Sequence, residues 1–192
     1  MSITVKQLEL GPMANFTYLI CDAASKICVC IDPGWEADKI IGESSGLTIS
    51  HILLTHAHFD HSNNAAILAK KTGAKIYVHR TETSGETKSF VDGDKITFGN
   101  SAITCMHTPG HTQGSACFLI DKMIFTGDTL FVDGIGRTDL EGSDSEEMFK
   151  SLQKLAKLPD GTVIYPGHNY GNEPTSTIGE QKKRNPYMRM RL

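Results

Sequence analysis

The stretch "ILLTHAHFDHSNNAA", residues 52–66, places three of the chain's 8 histidines around one aspartate. His56, His58 and His61 stand with Asp60 within six positions, directly after a short apolar run. Buried imidazoles and carboxylates need polar partners, because burying an unpaired polar group costs free energy. In an extended backbone, residues two apart point the same way, so the first two histidines can bind one ion. A turn after them would direct the aspartate and the third histidine toward a second ion. The stretch therefore predicts a metal site.

Three further apolar runs lead into possible metal ligands in the same manner. "ITCM" leads into "HTPGHT" with His111, "MIFT" leads into Gly127 and Asp128, and "VIYP" leads into Gly167 and His168. If these strands lie side by side, their ends bring the ligands to one edge, where loops on a rigid scaffold usually form a site. Each histidine would add an imidazole to one ion, and Asp128, in a tight turn, would bridge the two ions.

The candidate ligands, all imidazoles or carboxylates, are His56, His58, Asp60, His61, His111, Asp128 and His168. Four ligands close a structural zinc site, so seven ligands indicate two incompletely filled ions. Two such ions can activate a bridging water and stabilise the oxygens of a hydrolytic transition state. We therefore expect two divalent metal ions as cofactors and a catalytic role for Asp60 and Asp128. Zinc is favoured, and iron and manganese also tolerate a ligand set without thiolate.

Length, charge and cysteine content limit the class of protein. The 192 residues are expected to form a single domain, residues 1–192. A net charge of -3 gives no basic face for nucleic acid, and no apolar run is long enough to cross a membrane. The start, "MSITVKQLEL", does not resemble a secretory signal. We expect a cytoplasmic protein whose five cysteines are all reduced and mostly buried, while the oligomeric state is left open.

Short apolar runs between turn residues predict the remaining elements. "ANFTYLICD" and "KICVCIDPG" are typical of paired strands, and two hairpins should turn at residues 99–100 and 121–122. "SNNAAILAKKTG" predicts a helix that Ser62 or Asn63 caps and Gly73 ends. "SDSEEMFKSLQKLAKLPDG" predicts an amphipathic helix with acidic residues in its first turn and lysines in its last.

The order of the ligand-bearing motifs resembles that of the metallo-β-lactamase superfamily. The motifs are "THAHFDH" (55–61), "TPGHT" (108–112), "TGD" (126–128) and "YPGH" (165–168). The resemblance implies an α/β (α+β) fold, the αββα sandwich, with two mostly antiparallel sheets face to face, helices outside and metals at the strand ends. It also implies how the ligands divide. The first metal would have His56, His58 and His111, the second Asp60, His61 and His168, and Asp128 would bridge them.

Finer motifs resemble the glyoxalase II-like branch of that superfamily. They are "NFTYLI" near the start, "GIGRTDL" after the "TGD" motif, "PGHNY", and "NPYMRMR" at the end. By this resemblance the chain would hydrolyse a small thioester, such as an S-acyl-glutathione, through a metal-bridging hydroxide. Its partner would be a small-molecule thiol conjugate, which Arg137 and Tyr170 would contact.

That branch continues into a C-terminal helical region whose basic residues complete its glutathione site. On the segment "STIGEQKKR", Lys182 and Arg184 could substitute for them, and the alternative is a solvated helix face. Thr177 and Glu180 form a capping box that would start a helix there.

A second reaction class within the superfamily stays open. Persulfide dioxygenases are similar in the strand-end motifs, in the "GRTD" loop and in a tail like "YGNEPTSTIGEQKKRNP". They use one iron held by two histidines and an aspartate, an oxygen-activating arrangement. By resemblance these ligands would be His56, His111 and Asp128. Gly167 in "YPGH" and Ile135 favour hydrolysis instead.

Overall fold

The computed structural model describes residues 3–189. Met1, Ser2 and residues 190–192, which include the end of the "NPYMRMR" match, lie outside this range. The strands are β1 (Ile3–Leu10), β2 (Asn15–Asp22), β3 (Ile27–Ile31), β4 (Thr48–Leu53), β5 (Lys75–His79), β6 (Lys88–Phe90), β7 (Lys95–Phe98), β8 (Ser101–His107), β9 (Ala116–Ile120), β10 (Met123–Gly127), β11 (Val163–Pro166) and β12 (Ser176–Thr177). The helices are α1 (Ala37–Glu43), α2 (Phe59–Ser62), α3 (Ala65–Thr72), α4 (Ser145–Ala156), α5 (Ile178–Arg184) and α6 (Pro186–Arg189), with a 3₁₀ turn at Arg80–Glu82.

The strands form two sheets of six, which divide the chain in sequence order. The first sheet has the order β1-β2-β3-β4-β5-β6 and the second β12-β11-β10-β9-β8-β7. The second sheet is mostly antiparallel, as expected. In the first sheet, however, the pairs β3–β4, β4–β5 and β5–β6 are parallel, so the expectation of a mostly antiparallel sheet is wrong there. The reason is that α1 and α3 lie between successive strands, and a helical crossover returns the chain to the same end of the sheet.

Three apolar clusters give the molecule four layers. One cluster lies between the sheets and includes Tyr18 of the first sheet and Phe118 of the second. A second packs the first sheet against α1 and α3, and a third packs the second sheet against α4. The predicted αββα sandwich is therefore confirmed. None of the helices in residues 3–189 combines the length and the apolar character that crossing a membrane requires.

The helix predicted after the histidine stretch is present as α3, with the short α2 before it, but the predicted cap is wrong. Asn64, not Ser62 or Asn63, precedes α3, and Gly73 ends it in a left-handed conformation as predicted. The Asn64 side chain does not cap the helix. It donates to the Gly34 carbonyl at 2.8 Å and so ties α3 to the loop after β3. Packing against that loop therefore displaces the local capping preference.

One pair of cysteines contradicts the prediction that all five are reduced. Cys21 and Cys28 form a disulfide. They face each other directly in the β2–β3 pair. Cys30, Cys105 and Cys117 are free and buried, as predicted. The strand pattern predicted both strands but not which residues stand opposite, and that pairing brings the two thiols together.

The remaining predicted elements are present. The hairpins turn at residues 99–100 and 121–122. Helix α4 begins after Asp144, whose carboxylate accepts hydrogen bonds from two backbone N–H groups of the first turn. The Thr177 hydroxyl caps α5 by accepting the Glu180 backbone N–H at 3.2 Å. The Glu180 carboxylate accepts a hydrogen bond from the Ser176 hydroxyl and therefore does not complete the predicted capping box.

Candidate metal centre

The seven predicted ligands come from both sheets and meet at one edge of the sandwich. Strand β4 leads into His56, and α2 turns the chain so that Asp60 and His61 face the same region. The loops after β8, β10 and β11 supply His111, Asp128 and His168 from the second sheet.

One group consists of His56, His58 and His111, whose ligand atoms lie within 4.8 Å of one another. His111 Nε2 is 2.9 Å from His58 Nδ1. These are the three residues that the superfamily resemblance assigns to the first metal.

Another group consists of Asp60, His61 and His168, again within 4.8 Å. His61 Nε2 is 3.1 Å from His168 Nε2, and Asp60 Oδ2 is 3.5 Å and 3.4 Å from these two nitrogens. These are the residues assigned to the second metal.

Asp128 lies between the two groups. Its Oδ1 is 3.3 Å from His61 Nε2, and its Oδ2 is 3.5 Å from His111 Nε2 and 3.4 Å from His168 Nε2. Gly127 before it has φ +48, and a Cβ there would come within 2.5 Å of the Thr55 hydroxyl oxygen. The turn that aims this carboxylate therefore requires glycine. The position suits a bridging ligand.

Three histidines are oriented by hydrogen bonds at Nδ1, which leaves Nε2 facing the centre. The Nδ1 atoms of His61, His111 and His168 lie 2.9 Å from oxygens of Asp32, the Arg137 carbonyl and the Met13 carbonyl. These oxygens only accept hydrogen bonds, so Nδ1 carries the proton and, in the neutral ring, Nε2 is left as an electron-pair donor. Such outer hydrogen bonds are typical of histidines that bind metals.

Two atoms at the centre are buried without a hydrogen-bond partner among the described residues. They are His56 Nε2 and Asp128 Oδ1. A buried polar atom left unsatisfied costs free energy, and a cation at the centre would satisfy both. Together with a donor set of imidazoles and carboxylates, these atoms fit divalent zinc, iron or manganese.

The electrostatics favour the ligand form at His56 and Asp128 but not at His61 and His168. Burial, reinforced by His61, lowers the pKa of His56 well below its usual value. Burial alone would raise the pKa of Asp128, but the neighbouring His61 and His168 outweigh it and hold that pKa well below its usual range. At His61 and His168 burial alone would lower the pKa, but the neighbouring Asp128 outweighs it and raises the pKa. The neutral imidazole and the ionised carboxylate are the forms that bind a metal.

Two residues without an assigned role in the sequence prediction support the ligands from behind. Buried Asp32 accepts hydrogen bonds from Thr55 at 2.7 Å (N–H) and 2.6 Å (hydroxyl), besides that from His61. Buried Asn15 donates to Asp60 Oδ2 at 2.9 Å and accepts from the Trp35 indole at 3.0 Å. Asp32 follows the apolar strand β3, so the strand-end signal that revealed the ligands could have found it. No comparable signal marks Asn15.

A cavity of about 470 Å³ opens on the ligands. Arg137 and Tyr170, the predicted substrate contacts, both line it. The Tyr170 ring stacks on His168 with centroids 4.5 Å apart, and Arg137 forms a two-bond ion pair with Asp139 at 2.8 and 2.9 Å. The apolar lining residues are Met13, Phe131, Ile135 and Leu140.

The structure does not bring Lys182 and Arg184 to this cavity. Lys182 Nζ lies 2.7 Å from Asp160, and Arg184 Nε lies 2.7 Å from Asp133. Both basic side chains therefore pair with carboxylates beside α5. This placement agrees better with the alternative of a solvated helix face than with contact to the substrate.

The αββα sandwich and the cluster of seven histidine and aspartate side chains at its edge are features of a metal-dependent enzyme. A hydrolase agrees with both features. The chain belongs to the metallo-β-lactamase superfamily, whose model matches residues 10–168.

Three comparisons describe its neighbours. It is 35% identical over 185 residues to the probable polyketide biosynthesis zinc-dependent hydrolase PksB of Bacillus subtilis, covering 92% of this chain and 82% of that protein. It is 32% identical over 191 residues to the mitochondrial persulfide dioxygenase ETHE1 of Homo sapiens, covering 96% and 75%. The crystal structure of TTHA1623 in a di-iron-bound form superposes with a TM-score of 0.83 at 30% identity, covering 95% and 99%.

Proposed function

We propose that the chain hydrolyses a small thioester, such as an S-acyl-glutathione, in the manner of the glyoxalase II-like branch. The observation that carries the proposal is the position of Asp128 between two ligand groups, beside an open cavity. Similarity to a zinc-dependent hydrolase supports the same class.

Each ligand group has a defined part in this proposal. His56, His58 and His111 would hold one ion, Asp60, His61 and His168 the other, and Asp128 would contact both. When bound, two divalent ions lower the pKa of a shared water toward roughly 7 and polarise a carbonyl oxygen. Asp60 lines the cavity and would orient that water.

The cavity lining fits a thiol as the leaving group. A thiol of pKa about 8.5 departs as thiolate without an acid catalyst. Burial raises the pKa of Tyr170, so its phenol stays neutral at pH 7, and Arg137 remains cationic. Neither group would donate a proton to a departing thiolate. Both instead would position the thiol conjugate.

The walls of the cavity indicate where the substrate would lie. Met13, Phe131, Ile135 and Leu140 offer an apolar surface for an acyl chain. Lys182 and Arg184 are paired elsewhere, so Arg137 and Tyr170 would carry the contacts with the thiol arm.

The alternative is an iron-dependent persulfide dioxygenase. Similarity to human ETHE1, a persulfide dioxygenase, favours it as much as the similarity to PksB favours hydrolysis. In this reaction His56, His111 and Asp128 would hold one iron. A thiol conjugate would enter the same cavity, so the two reactions share a partner class.

Two assays on one preparation separate these reactions. We expect cleavage of an S-acyl-glutathione without oxygen, in enzyme reconstituted with zinc, which has no redox chemistry. We expect no oxygen uptake with glutathione persulfide. Oxygen consumption coupled to persulfide loss in the iron-loaded protein, without anaerobic thioester cleavage, would replace the proposal with its alternative.

Metal content provides a second test. Freshly purified protein should carry two equivalents of divalent metal, and Asp128→Ala should lose both activity and bound metal because one carboxylate serves both groups. Asp38→Ala, on the exposed face of α1, is the matched control and should keep both. Full activity in Asp128→Ala would remove this residue from the mechanism.

A further inference from the structure

Glu82 links two loops that carry metal ligands, although it contacts no ligand side chain itself. Its Oε2 accepts the Ala57 backbone N–H at 2.7 Å, and its Oε1 accepts the Gly114 backbone N–H at 3.0 Å. Ala57 stands between His56 and His58, and Gly114 lies in the loop of His111. One carboxylate therefore joins the backbones that hold all three residues of the first group.

We propose that Glu82 is a positioning residue that sets the metal affinity of the first group by fixing these two loops against each other. The proposal concerns metal binding and holds for either reaction. It assigns a function to the 3₁₀ turn after β5, which the sequence prediction left without one.

The contact requires a close approach that only glycine allows. A Cβ at Gly114 would lie 2.7 Å from both Cγ and Cδ of Glu82 and 2.8 Å from the Thr81 hydroxyl. Such distances do not occur without displacement of one side. The glycine in "HTQG" is thus matched to the glutamate in "RTE".

Neighbouring contacts hold the glutamate in place. His79 precedes the 3₁₀ turn, and its Nδ1 lies 2.9 Å from the Thr81 hydroxyl. Its ring stacks on His107, with centroids 3.9 Å apart and planes 6° apart. His107 Nε2 lies 2.9 Å from the Gln113 carbonyl, next to Gly114. The turn is therefore anchored to the His111 loop by a second, independent route.

The location of the link explains why it would matter for binding. The His56 loop follows β4 of the first sheet, and the His111 loop joins β8 to β9 of the second. Hydrogen bonds from N–H groups to a carboxylate are stronger than those between neutral groups. Without them the two backbones would be free to separate, and ligands must be held within a few tenths of an ångström for tight binding.

The second group has different supports. Asn15 holds Asp60, Asp32 holds His61 and the Met13 carbonyl holds His168. Glu82 takes part in none of these hydrogen bonds, so its loss should affect one group and spare the other.

The test isolates each group before Glu82 is changed. In a His168→Ala background, zinc affinity reports mainly the first group, and in a His58→Ala background mainly the second. Zinc titration against a competing chelator is the measurement. We expect Glu82→Ala to weaken binding about 10- to 100-fold in the first background, as for other residues that orient ligands, and less than about threefold in the second.

Two further variants control the result. Glu82→Gln keeps one oxygen acceptor and should lie between Glu82→Ala and the parent. Glu86→Ala, four residues on in the same loop, removes an exposed carboxylate with no hydrogen bond in residues 3–189 and should change neither affinity. Equal weakening in both backgrounds would show a general loss of structure and overturn the proposal, as would unchanged affinity in the first background.

Discussion

Gln181 connects α5 to the loop beside the metal centre, and its replacement by methionine should destabilise the protein. The side chain is fully buried in α5. Its Oε1 accepts from the Asp133 N–H at 2.8 Å and from the Asn185 amide at 3.1 Å. Its Nε2 donates to the Ser176 hydroxyl at 3.0 Å and to the Asp133 carboxylate at 3.3 Å.

The expected magnitude follows from these hydrogen bonds. Methionine has nearly the same length and volume, so the substitution removes polar contacts without opening a cavity. A net contribution of about 1 kcal/mol for each of the three shortest bonds gives about 3 kcal/mol, and the Asp133 N–H would lose its partner. For a domain of this size, that corresponds to a fall in Tm of about 6–12 °C.

Urea and thermal unfolding of Gln181→Met measure this loss directly. Gln153→Met in α4 is the matched control, because Gln153 is half-buried and forms no side-chain hydrogen bond in the described part of the chain. It should change the free energy of unfolding by less than about 0.5 kcal/mol. If Gln181→Met also stayed within that margin, the buried amide would contribute no net stability and the reasoning from hydrogen bonds would be refuted.

Three other outcomes are expected. Asn15→Ala should weaken the second group's zinc affinity by at least about tenfold in the His58→Ala background, measured by chelator competition, because Asp60 loses the donor that orients it. Burial and the adjacent His107 lower the pKa of His79 to about 4, so the unfolded state binds a proton more readily than the folded state. The free energy of unfolding should therefore fall as the pH drops from about 6.5 toward 4. A urea midpoint that falls equally in His79→Asn would contradict this. Thiol titration of the denatured protein should find three thiols before reduction and five after, whereas five before reduction would exclude the Cys21–Cys28 bond.

The ligand positions could be predicted because the signal is local. Each ligand of the second sheet directly follows a short apolar strand, and strand ends in one sheet lie near one another. His56 and His58 are two apart in extended backbone, which also places them side by side. The structure brings all seven side chains together at one edge, as the sequence predicted.

The supporting roles of Glu82 and Asn15 could not be predicted because they depend on contacts between distant segments. Glu82 is 32 positions from Gly114, and Asn15 is 45 positions from Asp60. Lys182 illustrates an ambiguity that the sequence leaves open. A basic residue on a helix suits an anionic ligand as well as it suits a neighbouring carboxylate, and only the packing of α5 places Asp160 within 2.7 Å. The Cys21–Cys28 pair likewise depends on strand register, which a pattern of alternating residues does not fix.

The division of the sandwich into consecutive halves links ion supply to the integrity of the whole chain. Residues 3–90 contain the first sheet with four ligands, and residues 95–177 contain the second sheet with three. Neither half holds a complete set, so each ion, when bound, would join ligands from both sheets. Free ion at a hundred times its dissociation constant would add about 2.7 kcal/mol to the free energy of unfolding. The supply of a trace metal would thereby influence the stability of the folded chain as well as the rate at which the enzyme turns over.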